Sequence, residues 1–143
     1  MTRFCLICLF AAWSLPAHGG DDADETLPPS HYAVSLLNFI NSYRIQHGMP
    51  ALMPADRLIA LAREHSQYMA ERGDISHDQF DARFDRSRRL SCVENVGWNY
   101  RDPYDQFKGW QNSAGHNAAM LDPKVTLGGI AIFDSYVTFF ACS

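Results

Sequence analysis

The chain has 143 residues, 47% of them hydrophobic, and a formal net charge of −4. That length suits one domain with a true hydrophobic core. A mildly acidic chain with no basic run has no electrostatic footprint for nucleic acid or for an anionic membrane surface.

The first nineteen residues read as a signal peptide. Arg3 supplies the positive start, Phe4 to Trp13 the apolar run, and Ala17-His18-Gly19 a small-x-small cleavage site. The apolar run is too short to span a bilayer, and no later stretch is long and apolar enough to form a transmembrane segment. Neither Cys5 nor Cys8 follows a small-residue pair, which argues against a lipoprotein anchor. Export places the protein in a secreted or periplasmic compartment. Residues 20–30 are acidic, contain Pro28-Pro29 and read as a disordered leader. One folded domain, residues 31–143, follows. Cleavage leaves Cys92 and Cys142, an even pair in an oxidising compartment, and a disulfide is the default reading. Two buried thiols, or Cys92 as a nucleophile, are the alternatives. Closing a loop of about 50 residues would contribute about 4 kcal/mol in the chain-entropy account.

Ser30 stands where it would cap a first helix over residues 31–47, with Val34, Leu37, Ile40 and Tyr43 at helical spacing. Gly48 and Pro50 stop it. Arg44 lies beside that apolar stripe, placed to pair with a buried acid or to snorkel. A second helix spans residues 54–72, with Leu58, Leu61, Ala62, His65, Tyr68 and Met69 on one face and Gly73 as its stop. His65 therefore reads as a partly buried, hydrogen-bonded core histidine. Residues 74–90 form a loop with a short helix. There Arg83, Arg86, Arg88 and Arg89 alternate with Asp81 and Asp85, and the cluster reads as a solvated face.

Residues 92–100 alternate like a strand, with Cys92, Glu94, Val96 and Trp98 on one face. A carboxylate in the middle of that face is costly unless it is paired or functional. A helix over 105–111 follows, with Trp110 as a core anchor. Ser113 then caps a short helix ending at Leu121. Strands over 128–133 and 136–142 close the chain, joined by a tight turn at Asp134-Ser135. Early helices and late strands define an α+β fold.

These segments carry a resemblance. Asn41-Ser42-Tyr43-Arg44 with Pro50-Ala51-Leu52, and Leu61-Ala62-Arg63-Glu64-His65-Ser66 with Met69-Ala70, resemble the first two helices of the CAP superfamily, also called SCP-like. Ser76-His77, Glu94-Asn95-Val96, Trp110-Gln111-Asn112-Ser113, Gly115-His116, Met120-Leu121 and Tyr136-Val137-Thr138-Phe139-Phe140 follow in that family's order. The resemblance implies a three-layer α-β-α sandwich around a small antiparallel sheet. It also implies a cleft where two histidines and two acids converge, which holds a divalent metal in some members. His77, Glu94 and His116 fill three of those places, and Ser113 stands where many eukaryotic members carry the second acid. The cysteine-rich C-terminal extension of eukaryotic members is absent, which weakens transfer of their sterol-carrying and channel-modulating activities.

The chemistry of those residues points two ways. Two imidazoles and a carboxylate suit zinc or another divalent metal, with water completing an open tetrahedron. A helix start favours the neutral, ligating form of His116. There is no HExxH, no Gly-x-Ser-x-Gly and no phosphate-binding glycine loop. Ser113 and His116 are three apart, a spacing that on a helix start serves capping more often than nucleophilic activation. A binding or scaffold module for a divalent metal, a small ligand or an extracellular protein is therefore favoured. A metal-assisted hydrolase acting on peptide or cell-wall substrates is the alternative.

Overall fold

The computed structural model describes residues 30–143. The signal sequence and all but the last residue of the leader lie outside it. Helix α1 spans His31–Gln46, capped by Ser30, whose Oγ accepts from the Ala33 amide. Its inward face is Ala33, Leu36, Leu37, Ile40 and Arg44. Val34, assigned to the apolar stripe from spacing, is instead 45% exposed. Leu36, with Ala33 and Ile40 a turn to either side, is the true centre of that face.

Met53–Pro54 is not the start of the second helix but a two-residue strand, β1. The Pro54 ring fits a sheet edge, where no ladder donor is needed. Helix α2 begins two residues later, at Asp56–Arg72, and ends on Gly73 at φ +67°. Helix α3, Phe80–Ser87, occupies the middle of the arginine-rich segment. Strand β2 is Cys92–Trp98. Helix α4, Pro103–Gln111, starts two residues before the position read from sequence, because Asp102 caps it through the Tyr104 amide and Pro103 takes the first turn. Helix α5 is Ala114–Met120. Strands β3, Leu127–Phe133, and β4, Tyr136–Cys142, meet at Asp134, which takes a left-handed φ of 51°.

The sheet runs in the order β1-β3-β4-β2. Three strands are antiparallel, and β1 joins β3 in parallel, so the sheet is mixed. Helix α2 covers one face. Leu58, Leu61 and Ala62 pack there on Ala131, Phe140 and Cys142. Helices α1, α4 and α5 cover the other, burying Leu36, Ile40, Phe107, Trp110 and Met120 against Ile130, Val137, Phe139 and Ala141. This is the three-layer α-β-α sandwich, and alternation along β4 divides it. Gly129 lets α2 lie directly on the sheet: a Cβ there would come within 2.3 Å of the Leu58 backbone. Cys92 and Cys142 are register partners at the end of β2 and β4, joined by a disulfide with Cα atoms 4.1 Å apart. Among the described residues no helix is long and apolar enough to cross a membrane.

The faces make a stability prediction. Leu61, 3% exposed, should cost about 2–4 kcal/mol when replaced by Ala, through lost transfer energy and a residual cavity. Exposed Arg88→Ala should stay within about 0.5 kcal/mol. Urea midpoints of the two variants check this, and equal shifts would mean that the faces are wrong.

Candidate functional site

Strand β2 is the edge strand opposite β1, and the site wraps that edge. Alternation sends neighbouring residues to opposite layers. Glu94, opposite Phe140, faces α2; Asn95, opposite Phe139, faces α4 and α5.

On the α2 side the Glu94 side chain is only 1% exposed. A buried carboxylate needs compensation, and Arg83 from α3 supplies it. Arg83 Nε donates to Oε2 and Nη2 to Oε1, both at 2.8 Å, a two-pronged fork. Arg83 Nη1 also donates to the Asp78 carbonyl at 2.7 Å, which ties the loop before α3 to the same guanidinium. His77, on that loop, places Nδ1 2.9 Å from Glu94 Oε1. A carboxylate only accepts, so Nδ1 carries the proton and Nε2 is turned away from Glu94. His65 from α2 donates from Nε2 to the Ser76 carbonyl at 2.8 Å and fixes the residue that precedes His77.

These contacts set the protonation states. Burial alone would push Glu94 up, but the hydrogen bonds from His77 and Arg83 and the charge of Arg83 outweigh it and hold the carboxyl below its usual range. Burial pushes His65 down, and the nearby Glu94 charge only partly offsets it. His65 is therefore neutral near pH 7, and its 3.7 Å approach to Glu94 is not an ion pair.

On the other side, Trp110 is 2% exposed and donates from Nε1 to the Val96 carbonyl at 2.9 Å, closing part of the strand edge. Asn95 Nδ2 donates to the His116 carbonyl at 2.9 Å and fixes α5 against β2. His116 is pushed down, first by burial and then by the proximity of His77. Burial and the neighbouring imidazole thus favour the neutral form, and His116 stands in the first turn of α5, the helix start invoked from sequence. Ser113 holds the cap position of α5, but its side chain makes no cap hydrogen bond, contrary to the role read from sequence. Between the layers lies an open cleft of about 310 Å³, with Trp98, Tyr100, Gln106, Trp110, Ser113 and His116 in its wall. A larger groove of about 460 Å³ separates α2 from α3. Its walls carry Glu64 and Arg86, paired with each other at 2.6 and 2.9 Å, together with Asp56, Arg57 and Arg88.

His77 and Glu94 are in direct contact, and His116 lies close enough to sense the His77 charge. The fourth predicted residue, Ser113, joins His116 in the cleft wall. The donor set does not fit the expected three-ligand metal centre. Both Glu94 oxygens sit in the Arg83 fork. Among the described residues no group of three or more His, Cys, Asp or Glu side chains is placed to hold a metal ion. Glu94 orients His77 rather than offering itself as a ligand.

Sequence reasoning missed Arg83, which it assigned to a solvated face. The residue is 5% exposed. Phe80, Arg83, Phe84 and Ser87 fall at i, i+3, i+4 and i+7, so helical spacing over the short α3 would have turned Arg83 inward. His65 was placed correctly on the apolar stripe, but its link to the loop that carries His77 had no sequence signal.

The fold matches known proteins. The family model of the cysteine-rich secretory protein family, CAP, matches residues 37–142, and the chain belongs to that family. It is 29% identical over 110 residues to the uncharacterized membrane protein YlbC of Bacillus subtilis (strain 168), covering 72% of this chain and 32% of that protein. This chain thus spans about a third of that relative's length. Among solved structures it resembles an extracellular protein containing a SCP domain from Bacillus anthracis str. Ames. The TM-score is 0.74 at 24% identity, over 78% of this chain and 40% of that one. It also resembles an outer surface protein from Borrelia burgdorferi, with a TM-score of 0.68 at 18% identity, over 77% of this chain and 90% of that one.

Proposed function

We propose that this CAP domain works outside the cell as a binding module, with the open edge of β2 as its ligand cleft. The observation that carries the reading is the Glu94 carboxylate, buried and held at both oxygens by Arg83. A general base must reach the proton it abstracts, and a carboxylate in such a fork is not free to do so. Among the described residues no Ser, Thr or Cys side chain hydrogen-bonds to the ring of His77 or His116, so the nucleophile–base pair of a covalent hydrolase has no support. What remains is a rigid wall of aromatic, amide and imidazole groups, the composition of a small-ligand site. The extracellular setting is supported by the signal-like start and the Cys92–Cys142 bridge.

Two measurements test this. An NMR fragment screen on the exported protein should give saturable hits that shift Trp98, Gln106 and His116 resonances. A zinc titration at pH 7.5 should show no tight stoichiometric uptake, in the wild type or in a His77→Ala, His116→Ala double variant. Turnover of peptide or cell-wall substrates that a chelator abolishes would overturn the reading in favour of a metal-assisted hydrolase.

A further inference from the structure

Resting on the binding-module reading, we propose that the cleft takes a neutral oligosaccharide, with Trp98 and Tyr100 as stacking faces and Gln106 as a polar anchor. Trp98 and Tyr100 are large aromatics left 52% and 40% exposed at the end of β2. They are nevertheless fixed. The Trp98 ring packs on Tyr136 with centroids 6.2 Å apart. The Tyr100 ring lies against Gly109, where a Cβ would come within 2.7 Å of its hydroxyl, and its carbonyl accepts from Tyr32 Oη at 3.0 Å. Rigid exposed aromatics offer contact area with little entropy left to lose on binding.

The second, independent observation is Gln106. It is 1% exposed, forms part of the cleft wall, and its Oε1 has no hydrogen-bond partner among the described residues. Its amide fits only because residue 97 is glycine: a Cβ there would stand 2.0 Å from Oε1. A buried acceptor without a donor is costly, so the amide gains by turning Oε1, which has less than 1 Å² of exposed surface, toward an N–H or O–H brought into the cleft. Ser113 makes no cap bond and leaves its hydroxyl for the same rim.

The ligand class follows from what the wall offers and lacks. It contains no Lys, Arg, Asp or Glu, so apart from the His116 imidazole it offers no ionisable side chain of those types to a phosphate, a carboxylate or a cation. It is open and partly polar, unlike the closed apolar pocket that a lipid chain requires. A pyranose presents C–H groups on a face and hydroxyl or acetamido donors around its rim. The C–H face matches the electron-rich face of an aromatic ring, and a rim donor answers Gln106 Oε1. At about 310 Å³ the cleft is small for a ligand pocket, so only part of an oligomer lies inside it.

The test titrates the exported protein with cellotetraose and with the β-linked tetramer of N-acetylglucosamine, read by NMR at the Gly97 and His116 backbone amides in every variant and also at the indole N–H wherever Trp98 is present. At least one sugar should bind saturably. Trp98→Ala and Tyr100→Ala should each weaken binding about tenfold, the effect of losing one stacking face, while Trp98→Phe should keep most of it. Gln106→Leu, checked by its melting curve for an intact fold, should weaken binding without disturbing Trp98. No saturable binding of either sugar, or binding unchanged in Trp98→Ala, would overturn the assignment. If fragments still bind at the same resonances, the saccharide class alone is lost and the binding cleft stands. If the tetramers are instead cut to shorter products, the binding-module reading is lost and the saccharide class stands.

Discussion

Glu94→Ala should destabilise the domain by about 3–5 kcal/mol, because it strands the Arg83 guanidinium, 5% exposed, without its counter-charge. The cost lies in the uncompensated charge more than in the lost pair. A Glu94→Leu, Arg83→Met double variant should therefore recover much of the loss, and a double-mutant cycle in urea would show strong coupling. Glu94→Gln separates charge from shape. The folded-state carboxyl is depressed, so its stabilisation is fully present above the unfolded carboxyl value of about 4.3 and is lost as pH falls through the lower folded value. The gap between wild type and Glu94→Gln should accordingly be widest near neutral pH and shrink in acid. A pH-independent gap would show that Glu94 stabilises by packing rather than by its charge. His77 gives a second readout: with Glu94 gone, its Nδ1 loses its acceptor, and its ring resonances should be broader in the variant than in the wild type.

Much of this arrangement was legible before any coordinates. The periodicity of Leu58, Leu61, Ala62, His65 and Met69 placed α2. The alternation from Cys92 to Trp98 placed Glu94 on a buried face, where its cost marked it as special. The pairing of Cys92 with Cys142 followed from an even cysteine count in an exported chain. What escaped has physical reasons. Strand β1 is two residues long, too short for any period to register, and its Pro54 looked like the first residue of a helix. The short α3 carries Phe80, Arg83 and Phe84 on one face, yet alternating charges hide the pattern, and Arg83 reads as solvated. The metal expectation meets its obstacle at the same point, since a carboxylate already gripped by a guanidinium leaves only two imidazoles. The unpaired Gln106 had no sequence signature at all, because satisfaction of a hydrogen bond is a property of three-dimensional neighbours.

Replacing Arg44 by Ala should be the most damaging single change, about 5 kcal/mol, comparable to the whole stability of a modest domain. Arg44 is a charged residue with 0% exposure and no acid in hydrogen-bonding reach, so neither the buried-acid pairing nor the snorkelling anticipated from sequence describes it. Its guanidinium instead answers four carbonyls: Nε to Pro50 at 3.0 Å, Nη1 to Met120 at 2.7 Å and Asp122 at 3.1 Å, and Nη2 to Val125 at 3.1 Å. Each carbonyl stripped of its donor in a buried place costs about 1–3 kcal/mol, and the vacated volume adds a cavity term. Burial lowers the Arg44 pKa while Asp122 opposes the shift, and the side chain stays charged at neutral pH. Lys at this position brings a point charge without the fork, so Arg44→Lys should fall between wild type and Arg44→Ala. The consequences reach the cleft. Met120 ends α5, and the Arg44 contacts at Met120 and Asp122 hold the C-terminal end of the helix that carries His116. Hydrogen exchange should therefore show early loss of protection across 117–125 in Arg44→Lys, with ligand affinity falling before global stability does. An Arg44→Ala variant within about 1 kcal/mol of wild type would mean that water replaces the guanidinium at these carbonyls, and that the junction of α1, α5 and β3 is held by apolar packing alone.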